Sequence, residues 1–324
     1  MKLRILRKCT IWLLCGTALL SGCAKKLWPS DQGFPDREIV FEYPSTAAEP
    51  GNLGFIRPDG TEFITRTVEP RLPAKASMPT WSPDGKFIAF QTDALSNSQR
   101  VVSHEGELSG KCRKWGWNVE RNWVTEEGDL LFVFTDETSE HPSIVLGNPR
   151  SCKVHLTLLE ATDIAGGGFI EYPNLSLQGW LALSRVFTED FPARAEIIVV
   201  EPGSREVQVV GQGRAPVWSR SGEWLAYTAL DGIYVVRKEG TETHRVVDID
   251  SRSESYPGTS VGIGWLIGFP TPSWSPDGKW LVYHRMTTAG SAIYKVNVES
   301  GVETEIFQGG VYPDWRWDLA PASE

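Results

Sequence analysis

Twelve residues, PTWSPDGKFIAF (79–90), return almost letter for letter as PSWSPDGKWLVY (272–283). In each copy a large aromatic residue, Trp81 or Trp274, ends one short stretch. The Ser-Pro-Asp-Gly that follows is turn chemistry: proline presets φ, aspartate tolerates the bend and glycine takes a positive φ at little cost. The run after the turn is apolar and rich in β-branched and aromatic residues, so it reads as a mostly buried strand. The repeated unit is strand, tight turn, strand.

Worn copies of the unit lie between and beyond these two. PVWSRSGEWLAY (216–227) and NWVTEEGDLLFVF (122–134) keep the tryptophan and the glycine, PNLSLQGWLAL (173–183) puts Leu175 in the tryptophan's place, and YPDWRW (312–317) keeps only the first half. The anchors Trp81, Trp123, Leu175, Trp218, Trp274 and Trp315 follow one another at intervals of 42, 52, 43, 56 and 41 residues. A second hairpin follows the full copies, clearest in GIYVVRKEGTETHRVV (232–247) and AIYKVNVESGVETEIF (292–307), and recognisable in EIIVVEPGSREVQVV (196–210) and SIVLGNPRSCKVHLTL (143–158). Two hairpins per repeat make four strands, and four-stranded sheets at this period are the mark of a β-propeller. The sixth anchor lacks partner strands, whereas REIVFEY (37–43) and LGFIRPDGTEFIT (53–65) lack an anchor strand. Joined, they complete one blade and leave the ring without an open sheet edge. The expected fold is all-β, a six-bladed propeller of four-stranded antiparallel blades over residues 37–319, closed by strands from both ends of the chain.

At the level of the motif, the P-x-W-S-P-D-G-K units resemble the WD40-like repeats of the TolB-type β-propeller family, over nearly the whole chain beyond its first thirty residues. The resemblance implies the propeller fold rather than an activity. The helical N-terminal domain usual in that family is not expected here, where only a short tether precedes the first strand.

The first thirty residues have a different construction. Lys2, Arg4, Arg7 and Lys8 precede a short apolar run, IWLLCGTALL (11–20), which ends in Leu20-Ser21-Gly22-Cys23. A basic start and a short apolar core are the build of an export signal, too short for a spanning helix. The small-small-Cys ending looks like a bacterial lipobox. Residues 1–22 are therefore expected to be a lipoprotein signal peptide, Cys23 the lipidated residue, and 23–36 a lipid-anchored tether. Several acyl chains on one residue give a stable hold where one chain would not. Ala24 stands where an aspartate is often linked to inner-membrane retention. The expected location is the outer membrane facing the periplasm in a cell with two membranes, and otherwise the outer face of the cell membrane.

Loss of the leader's four cations takes the net charge from −9 to near −13. A net anion of this size has no electrostatic footprint for nucleic acid or for anionic lipid, so the lipid is expected to carry the membrane attachment. Of the five cysteines only Cys112 and Cys152 remain in the folded part, either as a disulfide or as two separate buried thiols.

Chemistry-bearing patterns are few. Asp84 and Asp277 stand singly in their turns, whereas calcium needs six to eight converging oxygens, and the worn copies carry Ser221 and Gln178 there instead. Both aspartates read as turn residues. Gly-Thr-Ser-Val-Gly (258–262) fits a nucleophile-elbow pattern but has no helix-forming sequence after Ser260. The five histidines show no metal-ligand spacing. Neither a catalytic residue, a metal nor a cofactor is expected.

Function must then be sought in the loops that lead into each innermost strand, because these converge on one mouth of the channel. Two of them, KCRKWGWNVER (111–121) and SRSESYPGTSVGIGWLIGFPTP (251–272), exceed a short connection and are rich in aromatics and charge. Candidate binding residues are Arg113, Lys114, Trp115, Trp117, Arg121, Arg214, Arg252, Tyr256, Trp265 and Tyr312. Cations beside aromatics suit an anionic protein patch, a peptide or a sugar, and the leading expectation is a lipid-anchored binding or scaffold module for a protein or peptide. A carbohydrate- or cell-wall-binding module is the alternative, and an enzyme of the lyase or hydrolase type, as in related propellers, is the second.

Overall fold

The computed structural model describes residues 25–26, 33–43, 52–68, 76–92, 98–109, 123–125, 128–134, 142–149, 151–164, 167–187, 194–204, 206–249, 270–287 and 290–318. They form six four-stranded antiparallel blades. Blade 1 spans 76–108, blade 2 spans 123–160, blade 3 spans 169–212, blade 4 spans 214–248 and blade 5 spans 273–308. The closing blade 6 takes its innermost strand from Val311–Trp315 and its other three from Ile39–Glu42, Asn52–Ile56 and Ile64–Thr67. Ile39 pairs with Trp315 and Val40 with Asp314, so the two ends of the chain meet in one ladder.

The core is six layers, one between each pair of neighbouring blades. Side chains alternate across a strand, and here both faces of each sheet are covered. Ile39 and Phe41 pack towards blade 5, while Val40 between them packs towards blade 1. Leu130 and Phe132 face blade 1 and Leu131 faces blade 3. Leu225 and Tyr227 face blade 3 and Ala226 faces blade 5. Double-sided burial explains why the second strand of each repeat reads as a continuous apolar run rather than an alternation.

The turn between the first two strands is held by its own side chains. Gly85 (φ 67°) donates its N–H to the Ser82 carbonyl at 2.9 Å. The Ser82 hydroxyl accepts the Phe87 N–H at 2.9 Å and donates to Asp84 at 2.7 Å. Ser275, Asp277 and Trp280 repeat the arrangement. Burial opposes ionisation of Asp84, but hydrogen bonds from Lys86 and Ser82 outweigh it and hold the carboxyl below its ordinary range. Both aspartates are turn residues.

Within the segment 23–36, the described residues contact blade 1. Lys25–Lys26 pairs outside blade 1, with Lys25 opposite Leu108 and Lys26 opposite Glu107. Phe34 is buried against Trp81, the rings perpendicular with centroids 5.0 Å apart. The sequence hides this because the contacts obey no repeat: Phe34 fills a gap beside the first anchor. Cys152 is disulfide-bonded, its partner lying outside the described residues. It occupies an exposed hairpin turn of blade 2 rather than a buried site.

Candidate functional site

An innermost propeller strand presents one edge of unpaired amides to the channel. Here that edge is met by side chains from the neighbouring blade. In three blades the residue before the anchor supplies the acceptor. Asp314 accepts the N–H of Trp81 at 2.7 Å, Asn174 accepts that of Trp218 at 3.0 Å, and Ser273 accepts that of Trp315 at 3.0 Å. Blade 4 carries Val217 at this position, and its carbonyl instead takes the indole N–H of Trp274 at 3.1 Å.

A second polar level lies nearer the loop mouth. Each apolar second strand reaches a polar residue at the same height in five blades: Glu42, Gln91, Ser184, Thr228 and His284. Ser77 donates its hydroxyl to Glu42, and Thr228 donates to the Pro270 carbonyl of the next blade. Ser184 accepts the Ala215 N–H at 3.0 Å, and His284 Nδ1 accepts the Tyr312 N–H at 3.3 Å. With Nδ1 accepting, the proton of the neutral ring is on Nε2.

At the same height the innermost strands bulge. Met78, Tyr172, Ala215 and Tyr312 have φ near +50° (50°, 51°, 54° and 52°) and each precedes a proline. The proline closes the right-handed helical region to the residue before it and has no N–H to give the ladder, which makes a bulge its natural place in a sheet. The register shifts at these points in blades 1, 3, 4 and 6. One such outlier would suggest local strain; four in equivalent positions are a property of the repeat.

Glu171 and Arg214 flank two of these bulges and meet at the loop mouth, Arg214 Nη1 donating to Glu171 Oε2 at 3.3 Å. The Arg214 side chain is 4% exposed and that of Glu171 15%. Burial raises the Glu171 carboxyl above its ordinary range despite the opposing pull of Arg214. Further out on blade 3, Arg185 and Arg194 both pair with Glu196, and Arg194 lies 4.0 Å from the centre of the Phe187 ring.

The opposite mouth, at the Ser-Pro-Asp-Gly turns, is crossed by Arg316, Trp317 and Asp318. Arg316 lies over the Trp81 ring at 4.9 Å and pairs with Asp318, which abuts Gly85 of blade 1. The Trp317 indole donates to the Trp274 carbonyl of blade 5 at 2.9 Å, and its own carbonyl accepts from Arg220 of blade 4 at 2.6 Å. One short segment thus reaches blades 1, 4 and 5. Beneath it lies a small cavity lined by Thr80, Asn174, Ser273 and Asp314 together with Trp81, Trp218, Trp274 and Trp315.

Comparison with solved structures bears on this architecture. The chain is similar to TolB from Acinetobacter baumannii, with 13% identity and a TM-score of 0.61 over 86% of this chain and 66% of that one. It is also similar to a TolB candidate from Agrobacterium tumefaciens, with 16% identity and a TM-score of 0.55 over 84% and 89% of the two chains. The fold is that of the TolB propellers. An oligogalacturonate lyase from Vibrio parahaemolyticus matches at 13% identity and a TM-score of 0.47, over 83% of this chain and 73% of that one. The likeness in each case extends to the fold alone. No protein-family profile and no curated protein sequence matches the chain.

Of the ten candidate binding residues, Arg214 and Tyr312 fall in the TolB-like ring as described. Both are wall residues rather than exposed loop residues: Arg214 is tied to Glu171, and Tyr312 packs edge-on to His284 with ring centroids 4.7 Å apart. Arg113, Lys114, Trp115, Trp117, Arg121, Arg252, Tyr256 and Trp265 lie outside the described residues, as do Cys23, Cys112 and Ser260. Among the described residues no group of three His, Cys, Asp or Glu side chains is placed to hold a metal. The two polar levels of the channel wall were not singled out from sequence, although a polar residue before nearly every anchor was there to be read.

Proposed function

We propose that this protein is a lipid-anchored, extracytoplasmic propeller that binds a protein or peptide through its loop-side mouth. The observation that carries the reading is the asymmetry of the two mouths. The turn side is crossed by Arg316–Trp317–Asp318, while the loop side receives the least repetitive segments of the chain. Between them Glu42, Asn174, Ser184, Thr228, Ser273, His284 and Asp314 each join one blade to the next, so recognition falls to what rims the loop mouth. Long aromatic- and cation-rich loops on a rigid scaffold are suited to a peptide or an anionic protein patch.

The test is affinity capture from detergent-solubilised envelopes with the mature protein and with the double variant Trp115→Ala/Trp265→Ala. One stoichiometric protein partner, lost in the variant, is the expected result. Retention on purified peptidoglycan in place of a protein partner, lost in the same variant, would replace this reading with the cell-wall one. Turnover of an oligosaccharide substrate by the purified protein would replace it with an enzymatic one.

A further inference from the structure

We propose that the outer rim of blade 1 is the surface that faces the lipid bilayer. The inference rests on the lipid-anchor reading of Cys23 and adds an orientation to it. Lys25 and Lys26 form a fifth strand along the outermost strand of blade 1, Lys25 opposite Leu108 and Lys26 opposite Glu107. Cys23 precedes Lys25 by two residues, and an extended residue spans at most about 3.3–3.6 Å, so the acylated sulfur's backbone is within about 7 Å of that strand. This is too short to act as a tether.

The chain after Lys26 is pinned as well. The Phe34 N–H donates to His104 Nδ1 at 3.2 Å, and the Phe34 ring packs on His104 and Trp81. Gly33 lies so close to the His104 ring that a Cβ there would stand 2.2 Å from Nε2. His104 belongs to the hairpin turn of blade 1 that leads into Glu107–Leu108. Lys25–Lys26 and Phe34 are thus both held by blade 1, at its outermost strand and at its turn face.

Direction follows from the pairing. The outermost strand leaves its hairpin at the turn face, and the antiparallel partner Lys25 lies further from that face than Lys26. The Lys25–Lys26 strand therefore directs its N-terminal end away from the turn face. Acyl chains attached there hold blade 1 edge-on to the membrane, with the channel axis along the bilayer and the loop mouth opening sideways into the aqueous space. Blade 4, opposite blade 1 in the ring, is the part furthest from the lipid. The net negative charge gives the protein surface no attraction of its own for anionic headgroups, so the attachment point sets the orientation.

The test uses the mature protein with its own lipid, reconstituted into phosphatidylcholine–phosphatidylglycerol vesicles carrying a doxyl-labelled lipid. An environment-sensitive fluorophore is placed at Glu105→Cys in blade 1, and in a second protein at Glu239→Cys, the matching hairpin position of blade 4. Quenching several-fold stronger at position 105 than at 239 is expected. A flexible Gly-Ser linker inserted after Ala24 should remove the difference. Equal or reversed quenching in a vesicle-bound, unmodified protein would overturn the orientation while leaving the anchor intact. If Cys23→Ser still floats with the vesicles, the anchor reading itself falls, and the orientation with it.

Discussion

Arg214 shows how a residue can be read correctly by type and wrongly by surroundings. In sequence it is a cation in the short loop GQGRAP, facing a mouth expected to bind something; in the fold it is buried against Glu171, 43 positions earlier. That partner is invisible locally because it comes from the preceding blade. Removing one member of a buried pair leaves the other charged and unsolvated, so Arg214→Ala should cost about 3–5 kcal/mol at neutral pH. The sign of its pH dependence follows from Glu171. Its carboxyl is already raised in the folded state by burial, and loss of the neighbouring cation raises it further. A carboxyl raised on folding lowers stability where it is ionised, and this cost is relieved as pH falls through the folded-state value. Urea denaturation should therefore show the gap between variant and parent narrowing in acid. A gap that is constant or widens in acid would contradict the pairing.

The elements were largely legible, and for one physical reason: each second strand is buried on both faces and each turn needs its glycine, so both leave a pattern that survives wear. Ser82, Gly85, Ser275 and Gly278 are where the motif placed the turns. The innermost strand was read less well. Its Pro-x-Trp signature marks the anchor, and the middle residue, which varies from copy to copy, is what couples one strand to the next blade in blades 3, 5 and 6. Asp314 is the informative case, because it joins the last strand of the ring to the first complete blade by accepting the buried Trp81 N–H at 2.7 Å. Asp314→Ala leaves that donor unsatisfied and should cost about 1–3 kcal/mol, whereas Asp314→Asn keeps an acceptor and should cost less. Thermal unfolding of the two variants checks the order. Equal losses would mean that the hydrogen bond to Trp81 is not what Asp314 contributes.

At the scale of the whole molecule, ring closure could be read from sequence because two incomplete blades stood at opposite ends and completed each other. The sealing of the turn face could not. Phe34 lies outside every repeat and Arg316–Trp317–Asp318 stand where the last half-copy ends, so their places are set by what they find in three dimensions: Trp81 between Phe34 and Arg316, and the Trp274 carbonyl beneath Trp317. The consequence is a ring whose turn face is contacted by both the leading residue Phe34 and the trailing segment Arg316–Trp317–Asp318. The direct measurement is a photo-crosslinking scan in living cells, with a photoreactive residue placed singly at Tyr256 and Trp265 on the loop side and at Ser221 and Lys279 on the turn side. The account predicts one protein adduct of constant mass from the loop-side positions and none from the turn-side positions. The same adduct from Ser221 or Lys279, with none from Tyr256 or Trp265, would contradict it.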